Sequence, residues 1–340
     1  MLNKMNFIER SNNCILRMPL STGYYNILAS KNNISRKFSF LSDLLTKLKM
    51  ELRSQIVNSW FENDLKFKAV TVVNGIKLWF SNMGFPITKR EIESIAYNFD
   101  VTPICLKNFI NFKTAQMVHK FNLFLVNSIQ RRRTVRDIEM NAFYMYQKNI
   151  MVISPAFLFP PFFHAEAPMA YNFGRLGRVV GHEITHAFDY TLLKPMLGYN
   201  AANEKQFKRD IASKLVCFIN QFDQLKNGSG FHTLEENIAD TQGLKLAFRA
   251  MRRHIEKYSE TADERLGNLH DLDANKLFFI AFANDLCESR KYAFFDRTHS
   301  AARERVIGTL QNMEEFAEAF NCTIGRPMNP EGDKCDFWKM

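Results

Sequence analysis

The run His182-Glu183-Ile184-Thr185-His186 constrains the fold of this chain more than any other feature. Val179, Val180, Ile184 and Ala187 bracket it at the three- and four-residue spacing of a helix, so a helix is its natural carrier. On that helix the two imidazoles stand at i and i+4, about one turn apart on one face. Both can reach one zinc ion, with Glu183 held beside the water on that ion. The competing reading is a pair of helix histidines satisfied by local hydrogen bonds. It gives no reason for setting two titratable rings and a carboxylate between Val180 and Phe188.

Two histidines leave a catalytic zinc one protein ligand short. No His-x-x-Gly-x-x-His continuation is present, and neither His164 nor His232 sits in a matching motif. Glu236-Asn237-Ile238-Ala239-Asp240 offers a source. On a helix Glu236 can ligate the metal while Asp240, four residues on, accepts the outer N–H of a ligating histidine and fixes its tautomer. Spacing alone leaves other uses open. Thr233 and Glu236 also have the form of a capping box, and Glu235 is a solvent-facing competitor.

The 340 residues, 46% of them hydrophobic and 24% charged, suit a folded protein of one large or two smaller domains. From about Leu41 to Ile129 apolar residues recur three and four apart, as in Leu44, Leu45, Leu48 and Leu52, which predicts packed helices interrupted at Pro86 and Pro103. Asn141 to Phe159 is aromatic and β-branched and predicts one or two short strands. Helices are expected from Asn203 to about Leu225, Thr233 to Tyr258, Leu277 to Leu286 and Ala301 to Phe320, before an irregular tail from Gly325.

The net charge of +10 favours anionic partners without naming one. Its sharpest run, Arg131-Arg132-Arg133 with Arg136, lacks interleaved aromatic residues and reads as solvated surface; no nucleic-acid partner is expected. No uninterrupted apolar stretch of membrane-spanning length occurs, and Met1 to Arg17 lacks the apolar core of a signal peptide. Cys14, Cys105, Cys217, Cys287, Cys322 and Cys335 are too dispersed for a four-cysteine zinc module, leaving disulfides or buried thiols. Glycosylation sequons stand at Asn33, Asn227 and Asn321.

Several segments together resemble the catalytic half of the neprilysin and endothelin-converting enzyme family of zinc endopeptidases, peptidase family M13. They are Asn141-Ala142-Phe143-Tyr144, Pro160-Pro161-Phe162-Phe163, Gly181 to Asp189, Glu236 to Asp240 and Ile307 to Asn312, in matching order and separation. The similarity is strong from about Asn141 to Trp338 and traceable back to about Leu41. It implies a mainly α-helical α+β fold, a thermolysin-like zinc core with a small edge sheet. A partial, mainly helical N-terminal subdomain would occupy residues 1–140 and the catalytic domain residues 141–340.

Carried over by position, the resemblance makes His182, His186 and Glu236 the ligands of one catalytic Zn2+, Glu183 the catalytic carboxylate and Asp240 an orienting residue behind the ligands. Asp189 matches another motif carboxylate, in a supporting role. His299 resembles the transition-state histidine and Arg305 the substrate-binding arginine; Asn141 and the Ala142 backbone resemble the clamp on the substrate chain. The implied activity is hydrolysis of oligopeptides by metal-activated water. The alternative is a catalytically impaired zinc-binding pseudo-peptidase or peptide-binding module.

Departures from the family pattern accompany it. Arg297-Thr298-His299-Ser300-Ala301 replaces Asp-Val-His-Ser-Pro, which changes the charge beside His299 and removes the fixed φ of proline at Ala301. Leu286-Cys287 stands for Trp-Cys, and Tyr190 for a second aspartate. Cys217 and Cys335 match cysteines that pair with each other. Cys287 and Cys322 match ones whose partners lie in an N-terminal half that is mostly outside this sequence, and that half or a partner chain is expected to complete the enclosure. Cys14 and Cys105 match nothing. The resemblance also implies an extracellular or plasma-membrane setting.

Overall fold

A computed structural model describes residues 34–80, 102–125, 140–197, 201–226, 228–258, 265–266, 268–269, 271–288 and 298–339. The run Arg131–Arg133, Arg136, Arg297, Cys14, Asn33 and Asn227 lie outside the described residues. The chain forms two compact units. One comprises residues 1–37, 79–143 and 152–157; the other comprises residues 38–78, 144–151 and 158–340 and carries the histidine motif. The fold is the helix-dominated α+β type.

α1 (Ile34–Val57), which belongs to the second unit from Phe38 onward, buries Leu41, Leu44, Leu45, Leu48, Leu52 and Ile56 at the spacing of a single helical face. α2 (Asn63–Gly75) does the same with Leu65, Ala69 and Val73, and Lys49 Nζ donates to the free carbonyls of Asn74 and Ile76 at its end, both at 3.0 Å. β1 (Lys77–Phe80), β2 (Ala142–Met145) and β3 (Ile150–Ile153) form a small sheet in the order β1-β3-β2. Central β3 buries Met151, Val152 and Ile153 in succession, as a strand covered on both faces does. The first unit contains α3 (Cys105–Leu125).

Three further pieces of helix follow one another without a break. α4 (Met169–Asn172) passes through a π-helical segment, Phe173–Gly177, into α5 (Arg178–Thr185), whose eight residues are all buried. A 3₁₀ turn, His186–Phe188, ends this run, and α6 (Tyr190–Leu197) and α7 (Ala201–Leu225) come next. α8 (Leu234–Lys257) is the long partner of α5, and α9 (Ala274–Asp285) is capped by Asp273, whose Oδ1 accepts the Lys276 N–H at 2.8 Å.

The expected helix over Ala301–Phe320 is two helices, α10 (Ala302–Gln311) and α11 (Glu314–Ala319). The break serves Asn312, whose side chain donates to Gln221 Oε1 on α7 and accepts the Cys335 N–H from the tail, at 2.8 and 2.9 Å. The tail is irregular as expected, yet Cys335, Phe337 and Trp338 are buried. Trp338 stacks edge-on against Phe61 and Phe188, and Trp60 Nε1 donates to the Phe337 carbonyl at 2.7 Å. Among the described residues no helix is long and apolar enough to cross a membrane.

Candidate active site

The site begins with two glycines. A Cβ on Gly181 would lie 2.4 Å from the Gly243 carbonyl oxygen, and one on Gly243 would lie 2.4 Å from the His182 nitrogen. Only backbone can occupy that crossing, so α5 and α8 meet at hydrogen-only distance. This contact brings Glu236 and Asp240, respectively seven and three residues before Gly243 on α8, to the ring of His182, which follows Gly181 on α5.

Four side-chain atoms then converge. His182 Nε2 lies 3.0 Å and His186 Nε2 3.5 Å from Glu236 Oε2, and the two ring nitrogens are 3.1 Å apart. His299 Nε2 approaches the same oxygen at 2.9 Å, its ring parallel to that of His182 with centroids 6.2 Å apart. His182, Glu236 and His299 can hold a metal ion between them by distance alone. Glu236 Oε2 is buried at the centre of this group.

The outer ring nitrogens explain the inner ones. His182 Nδ1 lies 2.9 Å from Asp240 Oδ1, and His186 Nδ1 lies 3.1 Å from both oxygens of Asp189. Carboxylates accept only, so each Nδ1 carries a proton and each ring turns its Nε2 inward, where a ring that has given up its second proton offers a lone pair. Two such lone pairs and a carboxylate oxygen facing one point at about 3 Å repel one another unless a cation lies among them. The donor set, two imidazoles and one carboxylate with ordered carboxylates behind, is that of a catalytic zinc site, and the residues fit the ion.

The charges agree with this. Burial alone would raise the Glu236 and Asp240 carboxyls, but His182, His186 and His299 around the first, and Arg305 with His182 around the second, hold both far below the usual range. Burial opposes protonation of His182 and His186, yet Asp240 and Glu236 on the one ring, and Asp189 and Glu236 on the other, raise both. Glu183 is buried beside them, and burial pushes its carboxyl up against the opposing pull of the two histidines.

Arg305, on α10, grips Asp240 with a two-pronged fork, Nε to Oδ2 at 2.6 Å and Nη2 to Oδ1 at 2.7 Å. His299 reaches the site from the segment before α10, where Ser300 Oγ lies 2.9 Å from both Thr233 Oγ1 and Asn237 Oδ1. Ala301, which lacks the fixed φ of proline, nevertheless has a φ of −64°, the value a proline would impose. Asn141 and Ala142 belong to the other unit, where Asn141 is exposed just ahead of β2.

The capping box at Thr233 is not formed. Thr233 Oγ1 makes no cap bond; it donates to the Ser229 carbonyl and accepts from Asn237 Nδ2, and Glu236 is drawn to the histidines instead. Glu235 is half-buried rather than solvent-facing and accepts the Thr191 N–H at the start of α6. The Thr233, Asn237 and Ser300 cluster that seats His299 was not anticipated; its only sequence trace is the i, i+4 pair Thr233 and Asn237.

The sequence pattern of peptidase family M13 matches residues 141–336. The chain belongs to this family. It is 32% identical over 321 residues to endothelin-converting enzyme 1 of Rattus norvegicus, an alignment that covers 87% of this chain and 40% of that protein. This member of the M13 family thus spans about two-fifths of that relative's length. Its fold is shared with PEPO from Lactobacillus rhamnosis HN001, with a TM-score of 0.64 and 20% identity over 90% of this chain and 47% of that one. The inhibitor complex of Mycobacterium tuberculosis zinc metalloprotease ZMP1 gives a TM-score of 0.63 and 21% identity over 84% and 45%.

Proposed function

We propose that this chain is a zinc endopeptidase that hydrolyses oligopeptides, with His182, His186 and Glu236 as ligands of one zinc ion. The observation that carries this reading is the convergence of three lone-pair donors on one point, each imidazole backed by its own carboxylate. Held by these three residues, zinc would supply Lewis acidity toward a scissile carbonyl and lower the pKa of water toward neutrality. Glu183, buried and with its carboxyl raised, takes the water proton and returns it to the departing amine. His299 donates to the carbonyl oxygen as negative charge builds on it. Arg305 anchors Asp240 and presents its guanidinium to the substrate chain, in keeping with its place in the family pattern.

An oxidising setting suits the chain, because Cys217 and Cys335 form a disulfide. An extracellular or cell-surface location follows from that and from the family.

Substituting Glu183→Gln separates proton transfer from metal assembly. Wild type loaded with one zinc should cleave a mixed oligopeptide pool, read by mass spectrometry, and lose cleavage to a chelator. Glu183→Gln should keep the zinc and lose cleavage by at least about a hundredfold. Equal cleavage by both proteins rejects Glu183 as the base. Zinc binding without cleavage by wild type supports the pseudo-peptidase reading, whose physical ground is the changed charge at Arg297 beside His299.

A further inference from the structure

Two arginines on the run that carries the histidine motif have no part in the chemistry above, and both are buried. Arg175 stands in the π-helical segment and Arg178 opens α5. Arg178 Nη2 binds Asp285 Oδ2 at the end of α9, while its Nη1 lies 3.7 Å from Asp240 Oδ1. Arg175 Nη2 binds Asn284 Oδ1, and its Nη1 lies 3.7 Å from Asp285 Oδ1. With Arg305 forked onto Asp240, the side chains make one buried row of alternating sign: Arg175, Asp285, Arg178, Asp240, Arg305. Asp240 within that row is the group that meets His182 Nδ1.

Fold stability does not account for it. Arg175 Nε, Arg178 Nε and Asp285 Oδ1 are buried and carry no hydrogen bond among the described residues. A buried ion network satisfied only in part is commonly no more stable than apolar side chains of the same volume. What the row does govern is how much of Asp240 is left for His182. Asp240 Oδ1 already serves His182 Nδ1 at 2.9 Å and Arg305 Nη2 at 2.7 Å, and any further cation that closes on it draws on the same lone pairs. Arg178 is that cation. Its other prong is held by Asp285, and it stands at ion-pair rather than hydrogen-bond distance from Asp240.

We propose that Asp285 and Arg178 are positioning residues of the metal centre: Asp285 holds Arg178 back from Asp240, so that Asp240 keeps Oδ1 for His182 and His182 remains a strong metal donor. This rests on the zinc reading and adds a layer behind Asp240. Removing Asp285's charge lets Arg178 close on Asp240 and weakens the centre, whereas removing Arg178 takes away the competitor.

The test is a two-residue cycle on the full chain, read by zinc affinity against a chromophoric chelator and by the visible spectrum of the cobalt(II) form. Asp285→Asn should raise the zinc Kd about tenfold, the size usual for residues that support a ligand from behind, and alter the cobalt bands. Arg178→Met should leave the Kd within about threefold of wild type even if it lowers thermal stability. The diagnostic result is the pair: in Arg178→Met/Asp285→Asn the loss caused by Asp285→Asn should vanish. If Asp285→Asn does not fold, Asp285→Glu keeps the charge and displaces the guanidinium, and should show a smaller loss with the same reversal. A loss that persists in the Arg178→Met background, or no loss in either Asp285 variant, overturns the proposal while leaving the zinc reading intact. A wild-type chain that takes up neither zinc nor cobalt overturns both.

Discussion

Asp240 has two oxygens and three partners, and its charge decides how the centre responds to substitution and to protons. Asp240→Asn keeps one acceptor oxygen and turns an amide N–H either toward Arg305 Nε or toward His182 Nδ1 and Arg305 Nη2 together. The zinc Kd should rise about 10- to 100-fold in a chelator competition, with Arg305 left unpaired and the melting temperature lowered. Protons compete for the same rings. His182 and His186 hold protons more tightly in the folded metal-free chain than an unfolded histidine does, near pKa about 6.5. That contribution is complete below about pH 6.5 and fades as pH rises through the elevated folded values. Metal-free protein should therefore lose thermal stability as pH rises above about 6.5 and through the elevated folded values. Zinc must displace those protons, so the zinc-bound protein should gain stability over the same interval. Parallel pH trends for the two forms in calorimetry would refute the shared-site account. The histidine motif was legible because its spacing is local. The choice of Glu236 over Glu235 was not, because it depends on where Thr191 and the histidine rings lie. Arg178 and Asp285 carried no signal, being single charges 107 residues apart.

Between elements, the Gly181 and Gly243 contact sets the register of the site. Gly243→Ala would place a methyl 2.4 Å from the His182 nitrogen, against backbone that cannot swing aside. α5 and α8 must separate, at a cost of about 1–3 kcal/mol or more, and Glu236 withdraws from the histidines. The variant should melt lower and bind zinc at least tenfold more weakly, with helical circular dichroism retained; unchanged zinc affinity would mean that the crossing does not register the ligands. Gly181→Ala strikes the same contact, so the double variant should fall short of the sum. The helices themselves were readable from apolar spacing, as α1 and α8 illustrate. The break at Asn312 and the π-helical turn at Phe173–Gly177 were not. Asn312 answers to Gln221 and Cys335, and the turn obeys packing on either side of it rather than any local preference.

For the site-bearing unit as a whole, the tail closes the structure over the end of the histidine helix. Cys335 is joined to Cys217 on α7 across 118 residues. Three residues later Trp338 packs on Phe188, in the turn that holds His186, and Lys245 Nζ meets Asp336 Oδ2 at 2.8 Å. The sequence read this stretch as irregular, which it is; its burial depends on rings contributed by Trp60, Phe61 and Phe188, far away in the chain. Opening the disulfide frees the unfolded chain to expand, and a loop of this length gives on the order of 4–5 kcal/mol in the chain-entropy account. Cys217→Ser/Cys335→Ser should therefore lower the melting temperature by on the order of 5–10 °C, as should reduction of wild type. Because Trp338 also braces the turn of His186, the loss should not stop at the tail. Tryptophan emission should move to longer wavelength as Trp338 meets water, and zinc should bind several-fold more weakly at a temperature where the variant remains folded. A double-serine variant with lowered stability but wild-type emission and zinc affinity would show that the disulfide restrains the chain without coupling the tail to the metal-binding turn.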